Sequence, residues 1–213
     1  YHERFEVHNI GFQEGTNNGR GGLGSIYVWA AGNGRLQNDN INYDPLASSI
    51  YTIAVGAHGD NGFYSWYSEP GASMFVSAPS NGGQRGITTS DIPGVAGYDT
   101  TNYTNTFGGT SSATPLVSGV IALMLEANPT LTWRDVQHIL AKNAFKIDPF
   151  NSDWTVNGAG YHINHNYGFG GIYADSLVKT AEKWINVGQQ FSDTTTLLSI
   201  NEALADNDTG LTK

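Results

Sequence analysis

The sequence has no cysteine among its 213 residues, which excludes a disulfide framework and any thiolate-held metal. Basic side chains are scarce: 10 Lys and Arg stand against 19 Asp and Glu, for a formal net charge of −9. That sign argues against nucleic acid as a partner and favours cationic ligands. No run of eighteen apolar residues occurs, so no membrane span is predicted. In the opening Tyr1-His2-Glu3-Arg4-Phe5-Glu6 no basic region leads into an apolar stretch, so no signal peptide is visible there, and it reads as a chain entered within an element. Charged residues are only 14% of the whole, whereas there are 27 glycines and 12% aromatics. This is the composition of a loop-rich globular chain with a dense core, of a length that fits one domain and a fragment of another.

Short β-rich apolar runs at residues 25–31, 49–57 and 74–78, bounded by glycine or polar residues, read as buried parallel strands. Residues 113–127 read as a helix stopped by Asn128-Pro129. Thr132-Trp133-Arg134-Asp135 reads as a capping box opening a second helix, with Trp133, Val136, Ile139 and Leu140 on one face. A third amphipathic helix is expected over 173–185, with Ala174, Leu177, Val178, Ala181 and Trp184 inward. Alternating strands and helices predict an α/β layered sheet. Residues 80–107, rich in Gly, Ser, Thr and Asn, are expected as loops on the side of the active site.

The most informative run is Thr106-Phe107-Gly108-Gly109-Thr110-Ser111-Ser112-Ala113-Thr114-Pro115. A glycine-rich turn there leads into a helix apolar nearly all round, which predicts that the helix is buried. Pro115 suits a first helical turn, where its missing N–H is not needed. Ser111 at that end is either a helix-capping serine or a nucleophile facing free N–H groups and a partial positive charge. Asn33, in Gly32-Asn33-Gly34 just past a strand, is either a turn residue or an amide donor at the carboxyl end of a sheet. The Asn38–Asp44 segment is not an EF-hand, having neither the sixth-position glycine nor the twelfth-position glutamate. Its acids either cap their own loop or bind something.

Gly109-Thr110-Ser111-Ser112-Ala113-Thr114-Pro115 resembles the G-T-S-x-A-x-P nucleophile motif of the subtilisin-like serine proteases. The continuation through Glu126-Ala127-Asn128-Pro129-Thr130-Leu131-Thr132-Trp133-Arg134-Asp135 is similar to the kexin/furin branch, the proprotein convertases, as is Gly19–Gly34 upstream. The likeness covers most of residues 10–185. It implies a subtilisin-like three-layer fold, a mostly parallel sheet flanked by helices, incomplete in this chain. Residues 1–187 would form the C-terminal part of the catalytic domain; 188–213 would be a linker and the start of a β-rich P-like domain.

The same resemblance assigns roles. Ser111 would be the nucleophile and Asn33 an oxyanion donor. Asp39 and Glu69 would hold a structural Ca2+, and Asp44 would line a pocket that selects Arg or Lys. The implied activity is a calcium-dependent serine endopeptidase acting on polypeptides after basic residues, secreted or periplasmic. Subtilases order their triad Asp, His, Ser, and neither the D-x-G-like nor the H-G-x-like motif precedes Asn33. His58-Gly59-Asp60 cannot substitute, because neighbours in a loop point apart. The chain alone is therefore expected to be inactive. The alternatives are a non-catalytic binding module on the same fold and a broad-specificity subtilisin.

Overall fold

The computed structural model describes residues 2–191, with side chains from residue 6. Of the expected linker and P-like segment at 188–213, residues 192–213 lie outside the described residues. Three parallel strands form the central sheet in the order β1 (Tyr27–Ala30), β2 (Thr52–His58), β3 (Val76–Pro79). Tyr27 pairs with Thr52 and Val55 with Val76, so β2 is hydrogen-bonded on both sides. A strand sandwiched in this way must be apolar on both faces, and residues 52–57 are all buried.

Successive side chains alternate across the sheet and build two cores. On one face Ile53, Val55, Ala57, Val76 and Ala78 meet three helices: α2 (Thr110–Ala127), α3 (Trp133–Asn143) and α4 (Ala174–Glu182). Val117 and Met124 of α2, Ile139 and Leu140 of α3 and Leu177 of α4 are wholly buried there. Truncating Ile139 or Leu140 to alanine removes that packing at a cost of about 2–5 kcal/mol. On the other face Ala54 and Met74 pack with Ala31, Ile41, Ala47 and Trp29. Phe12 of α1 (His2–Asn18) covers this side, its ring 4.8 Å from Tyr27 and 6.2 Å from Trp29. Helices, sheet, and helix with loop make the three layers.

The predicted capping box opens α3: Thr132 accepts from the Asp135 N–H, and Asp135 Oδ2 accepts from the Thr132 N–H at 2.8 Å. Asp135 is fully buried, and its other oxygen takes hydrogen bonds from Trp184 Nε1 and Val187 N. Burial alone would push this carboxyl up, but those three donors and the Thr132 hydroxyl, 2.6 Å from Oδ2, more than offset it and its pKa is lowered.

Several elements differ from expectation. Helix α1 was not anticipated, because Gly11 and Gly15 interrupt its pattern. Gly15 is required by packing, since a Cβ there would collide with the Tyr27 hydroxyl. Residues 80–107 are not all loop: β4 (Ile87–Ser90) pairs antiparallel with β5 (Tyr103–Phe107), Ser90 opposite Tyr103. Their polar composition hides a hairpin that is largely solvent-exposed. Helix α4 is shorter than 173–185. Helix α2 begins at Thr110, three residues early, and is not buried all round, with Leu116 39% and Leu123 49% exposed. With a mean hydropathy of 1.2 over 18 residues, α2 is long and apolar enough, by those measures alone, to cross a bilayer. Here it is a core helix packed on the sheet and α4.

Candidate active site

The site forms where the chain leaves the carboxyl ends of β1 and β3 and meets the first turn of α2, the region where open α/β sheets place ligands. Gly109 is the N-cap of α2, with φ +79 and ψ 170, a conformation that glycine adopts without strain. Thr110 follows and is buried. Its backbone N–H and hydroxyl both donate to Asn33 Oδ1, at 2.9 and 3.0 Å, and its oxygen accepts from the Gly32 N–H at 3.2 Å. With Oδ1 so occupied, the carboxamide of Asn33 is oriented and Nδ2 remains as its free donor. A Cβ placed on Gly109 would lie 3.4 Å from Asn33 Nδ2 and 3.7 Å from Ser111 N. Asn33 Oδ1 lies 3.6 Å from the same point, so the Asn33 carboxamide and the Ser111 amide both stand beside Gly109.

Ser111 is exposed and lines a cavity of about 300 Å³ with Tyr98, Thr104, Thr106, Phe107 and Gly108. Because Gly109 is the N-cap, Ser111 sits inside the first turn and does not cap the helix. The neighbouring hydroxyl has the opposite environment. Ser112 is 1% exposed; its Oγ lies 2.6 Å from Ser80 Oγ and 3.1 Å from Gly109 O. Only Ser111 of the two is reachable from solvent.

The acidic residues gather beside Gly34. A Cβ on Gly34 would lie 3.0 Å from Glu69 Oε1 and 3.2 Å from Asp39 Oδ2, so these two carboxylates flank one glycine. Glu69 Oε1 accepts from the Gly34 N–H at 2.8 Å. The Glu69 carboxyl is pushed above its ordinary value, first by burial and then by the charges of Asp39 and Asp44, against that hydrogen bond. Asp44 Oδ1 accepts from Leu46 N at 2.8 Å and from Ala47 N at 3.3 Å, which closes the loop locally. Among the described residues no three His, Cys, Asp or Glu side chains converge as a metal cluster.

Three of the histidines sit in other surroundings. Nδ1 of His58 is buried without a partner, and burial pulls that ring down to about 4. Nδ1 of His165 is 2.9 Å from Asp153 Oδ1, and His162 Nε2 is buried and unpaired. Residues to which the sequence assigned no role also reach the site: Thr110, quoted only as a motif position, and Tyr67, Ser80, Asn81 and Tyr98. Tyr67 stands two places before Glu69 in Trp66-Tyr67-Ser68-Glu69, a proximity that could have drawn notice to it.

Known proteins resemble this chain in sequence and in fold. Residues 4–170 match the subtilase family, Peptidase_S8. The chain is 45% identical over 181 residues to human "Proprotein convertase subtilisin/kexin type 6", covering 84% of this chain and 18% of that protein. To "Furin-1" of Xenopus laevis it is 40% identical over 181 residues, with 84% and 22% covered. The crystal structure of a serine protease of Aeromonas sobria superposes with a TM-score of 0.78 at 26% identity, over 86% of this chain and 41% of that one. The chain thus spans about a fifth of the length of those curated relatives. With the family matched across most of its length, convertases among its relatives and the three-layer fold in place, the chain belongs to the subtilase family of serine proteases.

Proposed function

We propose that Ser111 is the nucleophile of a serine endopeptidase that cleaves polypeptides through an acyl-enzyme, with the developing oxyanion held by Asn33 Nδ2 and the Ser111 N–H. The observation that carries this reading is the contrast of the adjacent serines. Ser111 is open to a cavity, with the Asn33 carboxamide close to its turn at Gly109, and Ser112 is sealed in hydrogen bonds. The α2 N-terminus adds its partial positive charge where negative charge would form. The contacts of His58, His162 and His165 do not include Ser111, and the general base and its orienting acid are proposed to come from residues outside these 213.

Asp44 is assigned to a pocket that selects Arg or Lys. Its Oδ1 is engaged by the backbone, which leaves Oδ2 to meet a cation. Asp39 and Glu69 would hold Ca2+, a hard cation suited to oxygen donors; backbone carbonyls and water would complete its shell. The raised Glu69 carboxyl between two like charges fits this, because a divalent cation relieves that repulsion. The ion would brace the loop from Gly32 to Asp44. Such an enzyme would act outside the cytosol, where calcium is abundant. Residues 188–213 would lead into a P-like domain.

The test is active-site labelling. A fluorophosphonate is expected to modify Ser111 in the full-length protein and to leave the isolated chain unlabelled. Labelling at another residue would overturn the nucleophile, and labelling of the isolated chain would overturn the external base.

A further inference from the structure

We propose that Tyr67, Ser80 and Asn81 are positioning residues for Ser111, a buried clamp that fixes the backbone plane from which its N–H and hydroxyl project. The proposal rests on Ser111 being the nucleophile. All three side chains converge on Gly109, two residues ahead of Ser111. The Gly109 N–H donates to Asn81 Oδ1 at 2.9 Å and to Tyr67 Oη at 3.1 Å. The Gly109 carbonyl accepts from Ser80 Oγ at 2.8 Å. The peptide unit joining Gly109 to Thr110 is thereby held at both ends, its carbonyl by Ser80 and its N–H by Asn33.

The protons can all be placed. Ser80 donates to Gly109 O, and Ser112 donates to Ser80 Oγ. Tyr67 donates to Asn81, whose Oδ1 is 2.6 Å from the phenol oxygen. Asn81 Oδ1 then accepts from both Tyr67 and the Gly109 N–H, which fixes the orientation of its carboxamide. Asn81 also abuts Gly108 so closely that a Cβ there would collide with it.

A clamp is needed at this point because the turn is Gly108-Gly109. Glycine has no side chain to limit its rotation, and Gly109 sits at φ +79. Oxyanion donors act only within a few tenths of an ångström of the right distance, and a misplacement of about 1 Å costs on the order of a hundredfold in rate. Tyr67 and Ser80 are 4% and 3% exposed, so their hydrogen bonds hold the loop without competition from water. The same bonds also satisfy buried polar groups, and a role limited to that is the alternative to exclude.

In the full-length protein, Tyr67→Phe deletes one hydroxyl while keeping the ring, and Ser80→Ala deletes another. Each is expected to lower kcat about tenfold with KM unmoved. Fluorophosphonate labelling of Ser111 should slow by the same factor, measured well below each variant's melting temperature. Asn81→Ala, at the partly exposed end of the clamp, gives a third measure should a buried variant fail to fold. A lowered melting temperature with wild-type kcat in the folded variants would overturn the proposal. Ser111→Ala separates the two ways of failing. If hydrolysis survives Ser111→Ala, the nucleophile falls and the clamp with it. If Ser111→Ala is inert while the folded clamp variants keep wild-type kcat, the clamp alone falls.

Discussion

Thr110 gives both of its donors, the backbone N–H and the hydroxyl, to a single acceptor, Oδ1 of Asn33, at 2.9 and 3.0 Å. That pair of hydrogen bonds to one oxygen ties the loop after β1 to the first turn of α2 and sets the direction of the remaining amide protons. Asn33 thus has two separable jobs, one structural through Oδ1 and one chemical through Nδ2. Asn33→Ala removes both and is expected to lower kcat by roughly 10²–10³, the loss seen when one oxyanion donor is deleted from a subtilisin. Asn33→Asp keeps the acceptor and removes the donor. It should lose comparable rate while retaining more of the melting temperature than Asn33→Ala. Wild-type kcat in either variant would reduce Asn33 to a turn residue.

Asp44 offers a cleaner separation. Leu46 N and Ala47 N hold Oδ1, and an asparagine in its place offers them the same oxygen. Asp44→Asn is therefore expected to keep the loop and lose only the charge. A charge-assisted hydrogen bond contributes about 1.5–3 kcal/mol, so preference for Arg over Leu before the scissile bond should fall about ten- to a hundredfold. The measurement is kcat/KM on a matched pair of peptides. An unchanged ratio would favour the broad-specificity alternative.

Much of the architecture is visible in the residues themselves, for reasons that differ by element. Strand β2 is legible because a strand paired on both sides is an unbroken apolar run. The start of α3 is legible because Thr132 and Asp135 cap it through bonds only three residues apart. Ser111 and Asn33 were paired through their motifs, and the structure places them at one end of the sheet. The grip on Gly109 was not legible. Tyr67, Ser80 and Asn81 reach it across 42, 29 and 28 residues, and side-chain to backbone bonds over such spans leave no periodicity. Helix α1 was hidden by glycines that packing demands. The β4–β5 hairpin was hidden because exposed strands of Thr, Ser and Asn look like loop.

The paired acids beside Gly34 predict a cation effect with a definite pH dependence. The Glu69 carboxyl is raised above the ordinary 4.5 by burial and by Asp39 and Asp44. The folded state therefore binds this proton more tightly than the unfolded state does. Without a cation, stability from this group is greatest below pH 4.5 and declines as pH rises through the elevated value. Calcium favours the ionised form, so its gain in melting temperature should be larger at pH 7 than at pH 5. Glu69→Gln should lose most of that gain and be the more stable protein in chelator at pH 7. A calcium shift that Glu69→Gln leaves intact would place the ion elsewhere.

His58 should produce the opposite slope. Burial without a partner for Nδ1 lowers its pKa from 6.5 to about 4, so the fold holds the ring neutral. The unfolded chain takes up that proton once pH drops below 6.5, whereas the folded chain resists until about 4. Stability is full above the first value, declines between the two, and levels below the second, where both states carry the charge. The interval corresponds to about 3 kcal/mol as an upper figure. His58→Gln cannot titrate, so the difference in denaturant midpoint between the two proteins should narrow or reverse from pH 7.5 to pH 4.5. Parallel midpoints across that range would mean that the His58 ring is solvated in solution, and that the end of β2 is more open than its packing indicates.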